Sequence, residues 1–185
     1  MPSRETIVNN ALEQAGLPMR IQSLWDGSHE AVVARDLWAT TRDETLRAKR
    51  WTFARTIVEL TPSAFPASNP WLFRWNYPPA SLTIELLDVY GGHDASDFSI
   101  VPSRWAFIHT ATEGTDILTD YDAARAVITT RIIDPALWIR EFVEAMTAAM
   151  ALRLLTALGG GNETGGRSEQ RARANRAQDQ NSRAV

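Results

Sequence analysis

The stretch Ile21–Ala54, IQSLWDGSHEAVVARDLWATTRDETLRAKRWTFA, constrains the fold more than any other. From Ser28 to Lys49 it contains neither proline nor glycine, so it reads as one long helix between a turn and an abrupt aromatic exit. Ser28 stands where a side-chain oxygen caps free backbone N–H groups, with Asp26 and Gly27 shaping the turn before it. Ala31, Ala34, Trp38, Thr41 and Ala48 fall on one stripe, broadened by Val33 and Leu37. Asp43 and Arg47 form an i,i+4 pair of favourable orientation, and Arg47, Lys49 and Arg50 bring positive charge to the negative helix end. Trp51-Thr52-Phe53-Ala54 then opens a strand that runs on to Leu60.

A first helix over about 3–15 is predicted from Ile7, Val8, Ala11, Leu12 and Ala15, with Gly16 and Pro18 ending it. The segment Thr61–Pro79 holds five of the nine prolines. Within it Trp71, Phe73, Trp75 and Tyr77 alternate, which puts four rings on one face of an extended strand. Such a row can stack sugars or bases, but it more often covers a core or a subunit interface, and we read it structurally. Further strands are expected at Leu82–Tyr90, Arg104–Ala111, Thr115–Thr119 and Ala124–Ile133, with turns at Gly91-Gly92 and Glu113-Gly114. Asp134-Pro135 opens a last helix to Leu158 whose apolar residues occur on every side, the pattern of a buried helix. Two readings of its burial stay open: the central helix of a monomeric bundle, or a helix covered by neighbouring subunits as well as by its own domain.

From Gly159 the composition changes to glycine-flanked polar sequence, then to an Arg-, Ala- and Gln-rich run that favours helix without a core to join. This tail, residues 159–185, is read as a flexible arm: a glycine hinge and a latent basic helix. It carries five Arg against Glu163, Glu169 and Asp179, for +2, which leaves −5 on the rest of a chain of net charge −3. An acidic body argues against a DNA-binding surface and is equally that of an ordinary acidic soluble protein.

The absence of cysteine removes disulfides and thiolate chemistry. No basic-then-apolar leader opens the chain, and no apolar run approaches the roughly 18 residues of a membrane span. A soluble protein without membrane anchor, made in the cytoplasm, is expected. His29, His93 and His109 are scattered, and no HExxH, G-x-S-x-G, P-loop or G-x-G-x-x-G occurs. Glu113, Asp116, Asp120 and Asp122 cluster without the calcium-loop pattern and read as a solvated turn. No catalytic, metal or cofactor residue is singled out, although paired carboxylates for glycoside cleavage are invisible in a sequence.

Several motifs stand in a familiar order. They are Ala11-Leu12 with Gly16; then Ile21, Ser23, Leu24, Asp26 and Ser28; then Arg42-Asp43, Leu46 and Trp51-Thr52-Phe53-Ala54. Tyr77-Pro78-Pro79-Ala80-Ser81-Leu82, Ile117-Leu118-Thr119-Asp120 and the run Trp138–Ala148 follow. In this order the chain, over about residues 5–158, resembles the head-to-tail adaptor, or tail tubular protein A, family of short-tailed bacteriophages. It departs from the family pattern at Ser81, where an Asp is usual.

The resemblance implies a structural virion protein and not an enzyme. It would join the portal ring to the tail nozzle and tail fibres as a ring of about twelve subunits closed by heterologous contacts. DNA would pass through the channel unbound. Arg167, Arg171, Arg173 and Arg176 of the arm would fasten to the portal, and Trp71, Phe73, Trp75 and Tyr77 would serve a subunit or nozzle interface. The rival readings are a peptidoglycan-cleaving tail enzyme and a carbohydrate-binding module using the aromatic row. The fold class expected is α+β. An adaptor domain over 1–158 has helices at about 3–15, 28–49 and 135–158, forming a bundle with a small antiparallel sheet inserted over about 52–133.

Overall fold

The structure, a computed structural model, describes residues 2–92 and 102–159. It is α+β, with three helices and two open antiparallel sheets, and the chain divides into two compact units. Among the described residues, one comprises those up to Thr45 and those from Asp134 onward; the other is Leu46–Ile133.

The helical unit begins with α1, Arg4–Gln14, capped where Ser3 Oγ accepts from the Thr6 N–H at 3.1 Å. Its buried residues Ile7, Val8, Ala11 and Leu12 make one stripe. Gly16, at φ 71°, ends the helix. The Leu17 N–H reaches Leu12 O at 2.9 Å and the Gly16 N–H reaches Glu13 O at 3.0 Å, the paired bonds of a left-handed glycine cap. Asn9 then clamps the next turn to α1: its amide nitrogen donates to Ile21 O at 3.0 Å, and its oxygen accepts the Ile21 N–H at 2.9 Å.

Helix α2, His29–Ala48, starts as expected from Ser28, whose Oγ accepts from the Ala31 N–H at 3.3 Å. Asp26 is the organiser of this entry. Its carboxylate accepts the N–H groups of Gln22 and Ser28, both at 2.9 Å, and the Ser28 hydroxyl at 2.6 Å. The Ser28 hydroxyl and the backbone donors around it lower its pKa to about 2. Ala31, Ala34, Trp38 and Thr41 are buried, but Ala48 is exposed; the stripe leaves through Thr45 instead. The Asp43 carboxylate pairs with its neighbour Arg42, Nη2 to Oδ1 2.6 Å.

The last helix is shorter than expected. Asp134 caps only a 3-10 turn, Pro135–Leu137, and Trp138 is extended before α3 runs over Arg140–Gly159. That extended residue lets the Trp138 ring stack on Trp38, centroids 5.8 Å apart, and meet Phe142 edge-on at 4.8 Å. Phe142, Met146, Met150 and Leu154 are fully buried along one side of α3. Each such side chain contributes about 1.5–3 kcal/mol by leaving water. The all-round apolar character therefore resolves into a buried stripe and an exposed face, on which Leu152 is 69% and Leu155 46% accessible. Contrary to the sequence expectation, α3 is long and apolar enough to cross a membrane by length and composition, with mean hydropathy 1.4. Its alanines raise that mean; the buried stripe is equally the mark of a core helix.

The β unit holds two sheets where one was expected. Strands β1 (Arg55–Glu59), β6 (Ala123–Thr130) and β3 (Thr83–Gly92) pair in the order β1-β6-β3. Strands β2 (Phe73–Asn76), β5 (Gly114–Thr119) and β4 (Trp105–Thr110) pair in the order β2-β5-β4. Turn residues mark where strands stop but not which strands pair, so the split was hidden. Strand β1 also starts later than predicted, because Thr52–Ala54 closes a 3-10 turn with the Ala54 N–H on Trp51 O at 3.2 Å.

The sheets share one core of Leu60, Trp75, Leu86, Val89, Ile117, Ala124, Ala126 and Ile128. On β6 the residues alternate, so Arg125, Val127 and Thr129 occupy the opposite face. On β3 the register shifts between Leu86 and Asp88, which lets Leu86 and Val89, three residues apart, both join the core. Gly91 is a point of close approach: a Cβ there would stand 2.3 Å from the Tyr121 ring.

Candidate functional site

Trp71, Phe73, Trp75 and Tyr77 are drawn into the β unit. Trp75 is 5% exposed, and its indole N–H donates to Thr119 Oγ1 at 2.9 Å. Phe73 and Tyr77 are half-buried against the same core, and burial raises the Tyr77 phenol pKa. Trp71 is half-buried with the Arg104 guanidinium 4.4 Å above its ring. The centre of the row is core, and its two ends reach the surface. The intervening Leu72, just ahead of β2, is 69% accessible.

The acidic cluster turns out not to be a plain solvated turn. Arg74, between the aromatic rings in sequence, points the other way and is buried. Its Nε donates to Asp116 Oδ2 at 2.7 Å and its Nη2 to Glu113 Oε2 at 2.8 Å. The Ser63 hydroxyl donates to the same Asp116 oxygen at 2.8 Å, and the Phe65 ring lies 5.1 Å from the guanidinium. Burial alone would lower the Arg74 pKa, but the hydrogen bonds and charges of Glu113 and Asp116 outweigh it and raise the value. Two backbone bonds, Ser63 N–H to Arg74 O and Asn76 N–H to Thr61 O, each 2.9 Å, lay the preceding segment along the free side of β2. The network therefore covers a sheet edge and commits both carboxylates to an internal cation.

His29 opens α2, and His109 on β4 shares a 2.9 Å hydrogen bond with Thr115 Oγ1. His93 lies outside the described residues, as do Arg167, Arg171, Arg173 and Arg176 of the proposed arm. Among the described residues no group of three or more His, Asp or Glu is placed to hold a metal ion.

Sequence reasoning missed a cleft on the outer face of the first sheet. It has a volume of about 460 Å³ and is lined by Thr52, Arg55, Thr56, Ile57, Tyr90, Arg125 and Val127. Strand β1 is the sheet's outer strand, and Arg55, Thr56, Ile57 and Glu59 on it are exposed. The register sets Ile57 beside Val127, and Arg125 between Glu59 and Tyr90. Glu59 Oε1 accepts from Arg125 Nη2 at 3.1 Å. Arg55 has no ionic partner among the described residues. The alternation Arg55-x-Ile57-x-Glu59 and Arg125-x-Val127 was readable; that these two strands are neighbours was not.

No protein-family model matches the sequence, and no curated protein matches it significantly.

Proposed function

We propose that this chain is a structural head-to-tail adaptor of a phage virion, a ring-forming connector between portal and tail nozzle that extends the DNA channel. The observation that carries this reading is the ordered motif series. Its most distinctive members coincide with built joints: Ile21, Asp26 and Ser28 form the hydrogen-bonded turn into α2, and Trp51–Ala54 forms the turn into β1. Helices flanking an inserted β unit, and an exposed Leu152 and Leu155 on α3, suit a subunit that buries further surface against copies of itself.

In this reading the protein is not an enzyme, and it works in the virion neck after synthesis in the host cytoplasm. Trp71 and Leu72, at the accessible end of the aromatic row, serve the nozzle contact, and the basic arm fastens to the portal. Two observations weigh against the rivals. Trp75 lies inside the core instead of on a sugar platform, and Glu113 and Asp116 are held by Arg74 instead of facing a substrate.

The test mixes the purified chain with a candidate portal ring and images the particles by electron microscopy. A second ring coaxial with the portal, lost on removing residues 159–185, supports the adaptor and its arm together. A coaxial ring that survives that deletion refutes the arm's role alone. Failure to associate with any portal, together with cell-wall cleavage or sugar-dependent tryptophan fluorescence, would overturn the reading.

A further inference from the structure

The cleft beside β1 combines features that a solvated sheet face does not need. Its apolar floor is chiefly Ile57, 67% accessible at the middle of an outer strand, with its cross-strand neighbour Val127 beneath it at 4%. Edge strands usually protect themselves with charge at that position. Charge here sits at the two ends instead. Arg55 lies opposite Thr129, four residues along β6 from Arg125, so the two guanidinium stems start roughly 13 Å apart along the strand.

The ends are not equivalent. Arg125 is oriented by Glu59 and lies beside Tyr90, whereas Arg55 is flanked by the Thr52 and Thr56 positions and answers to no carboxylate among the described residues. A volume of about 460 Å³ falls in the range of small-molecule sites.

We propose that this cleft binds an elongated organic anion. Its acidic head pairs with Arg55, its apolar body lies over Ile57 and Val127, and its far end meets Tyr90 and Arg125. A guanidinium fork suits a carboxylate or sulfonate head, and the apolar floor excludes a bare inorganic anion as the preferred occupant, because it would leave the centre of the cleft wet. The inference is independent of the adaptor reading and survives its failure.

The test uses the full chain and the fluorescent aryl sulfonate 8-anilinonaphthalene-1-sulfonate. Its emission should rise saturably with one site per chain, and octanoate should displace it while inorganic phosphate at the same concentration does not. Arg55→Gln should weaken binding about tenfold, and Ile57→Asp should abolish it. Both side chains are exposed, so both variants should melt as the parent does. Emission that never saturates, binding unchanged in both variants, or displacement by phosphate as effective as by octanoate would each overturn the proposal.

Discussion

Inside the helical unit and inside the β unit, different physics holds the chain in place. In the helical unit the decisive groups are apolar and non-directional: Phe142, Met146, Met150 and Leu154 along α3, and the stacked rings of Trp38 and Trp138. In the β unit a comparable core is joined by a directional element, the Arg74 guanidinium shared between Asp116 and Glu113 beneath Phe65. The first kind of contact tolerates substitution by anything of similar size and polarity. The second requires one particular fork in one orientation.

The largest expected effect tests the apolar side. Phe142→Ala should cost roughly 3–5 kcal/mol in denaturant unfolding, and Phe142→Leu should restore most of it. If Leu restores nothing, the contact is not simply apolar and the comparison fails. In the β unit, Arg74→Met should lower the melting midpoint by about 10 °C, because two carboxylates lose their cation in a buried setting. Arg74→Lys should recover little of that loss despite keeping the charge; full recovery by Lys would break the contrast. Gly91→Ala, which forces a methyl into the Tyr121 ring, should cost about 1–3 kcal/mol, and Tyr121→Ala in the same chain should relieve part of that strain.

The smallest effect concerns the Asp26 turn. Its carboxylate titrates lower in the folded chain, at about 2, than in an unfolded one, so its contribution is complete above the ordinary carboxylate range and disappears as pH falls towards 2. Asp26→Ala should therefore melt below the parent at pH 7, and the two melting curves should converge as pH falls from 4 to 2. A gap that stays constant over that interval would mean the carboxylate charge plays no part in the turn.

What the sequence disclosed follows the same division. Helix periodicity, Ser28, Gly16 and the buried face of α1 depend on residues a few positions apart, so they were legible. Most strand positions were legible too, because turn residues punctuate them, but Gly91-Gly92, expected as a turn, are paired within β3. Pairing was not. Nothing local tells that Arg74 meets Asp116 across 42 residues, or that Arg55 and Arg125 come to share a cleft. The acidic cluster looked like solvent-facing loop because its cation lies on another strand. Trp138 is a subtler case. Its helical spacing was real, but stacking on Trp38 held it in an extended conformation and delayed α3 to Arg140.

The turn between α1 and α2 has one more consequence. Asn9 grips the Ile21 backbone, Asp26 grips the backbone at Gln22 and Ser28, and Gly16 supplies the reversal; the loop's course is fixed by bonds to its main chain. The side chain at its tip, Trp25, is 75% accessible, with the Arg35 guanidinium 4.7 Å over its ring. The loop is thus a rigid mount with an interchangeable fitting. Residue 25 can be replaced by a label, or left as a natural fluorophore, and will report whatever lands on that corner without altering the frame that carries it.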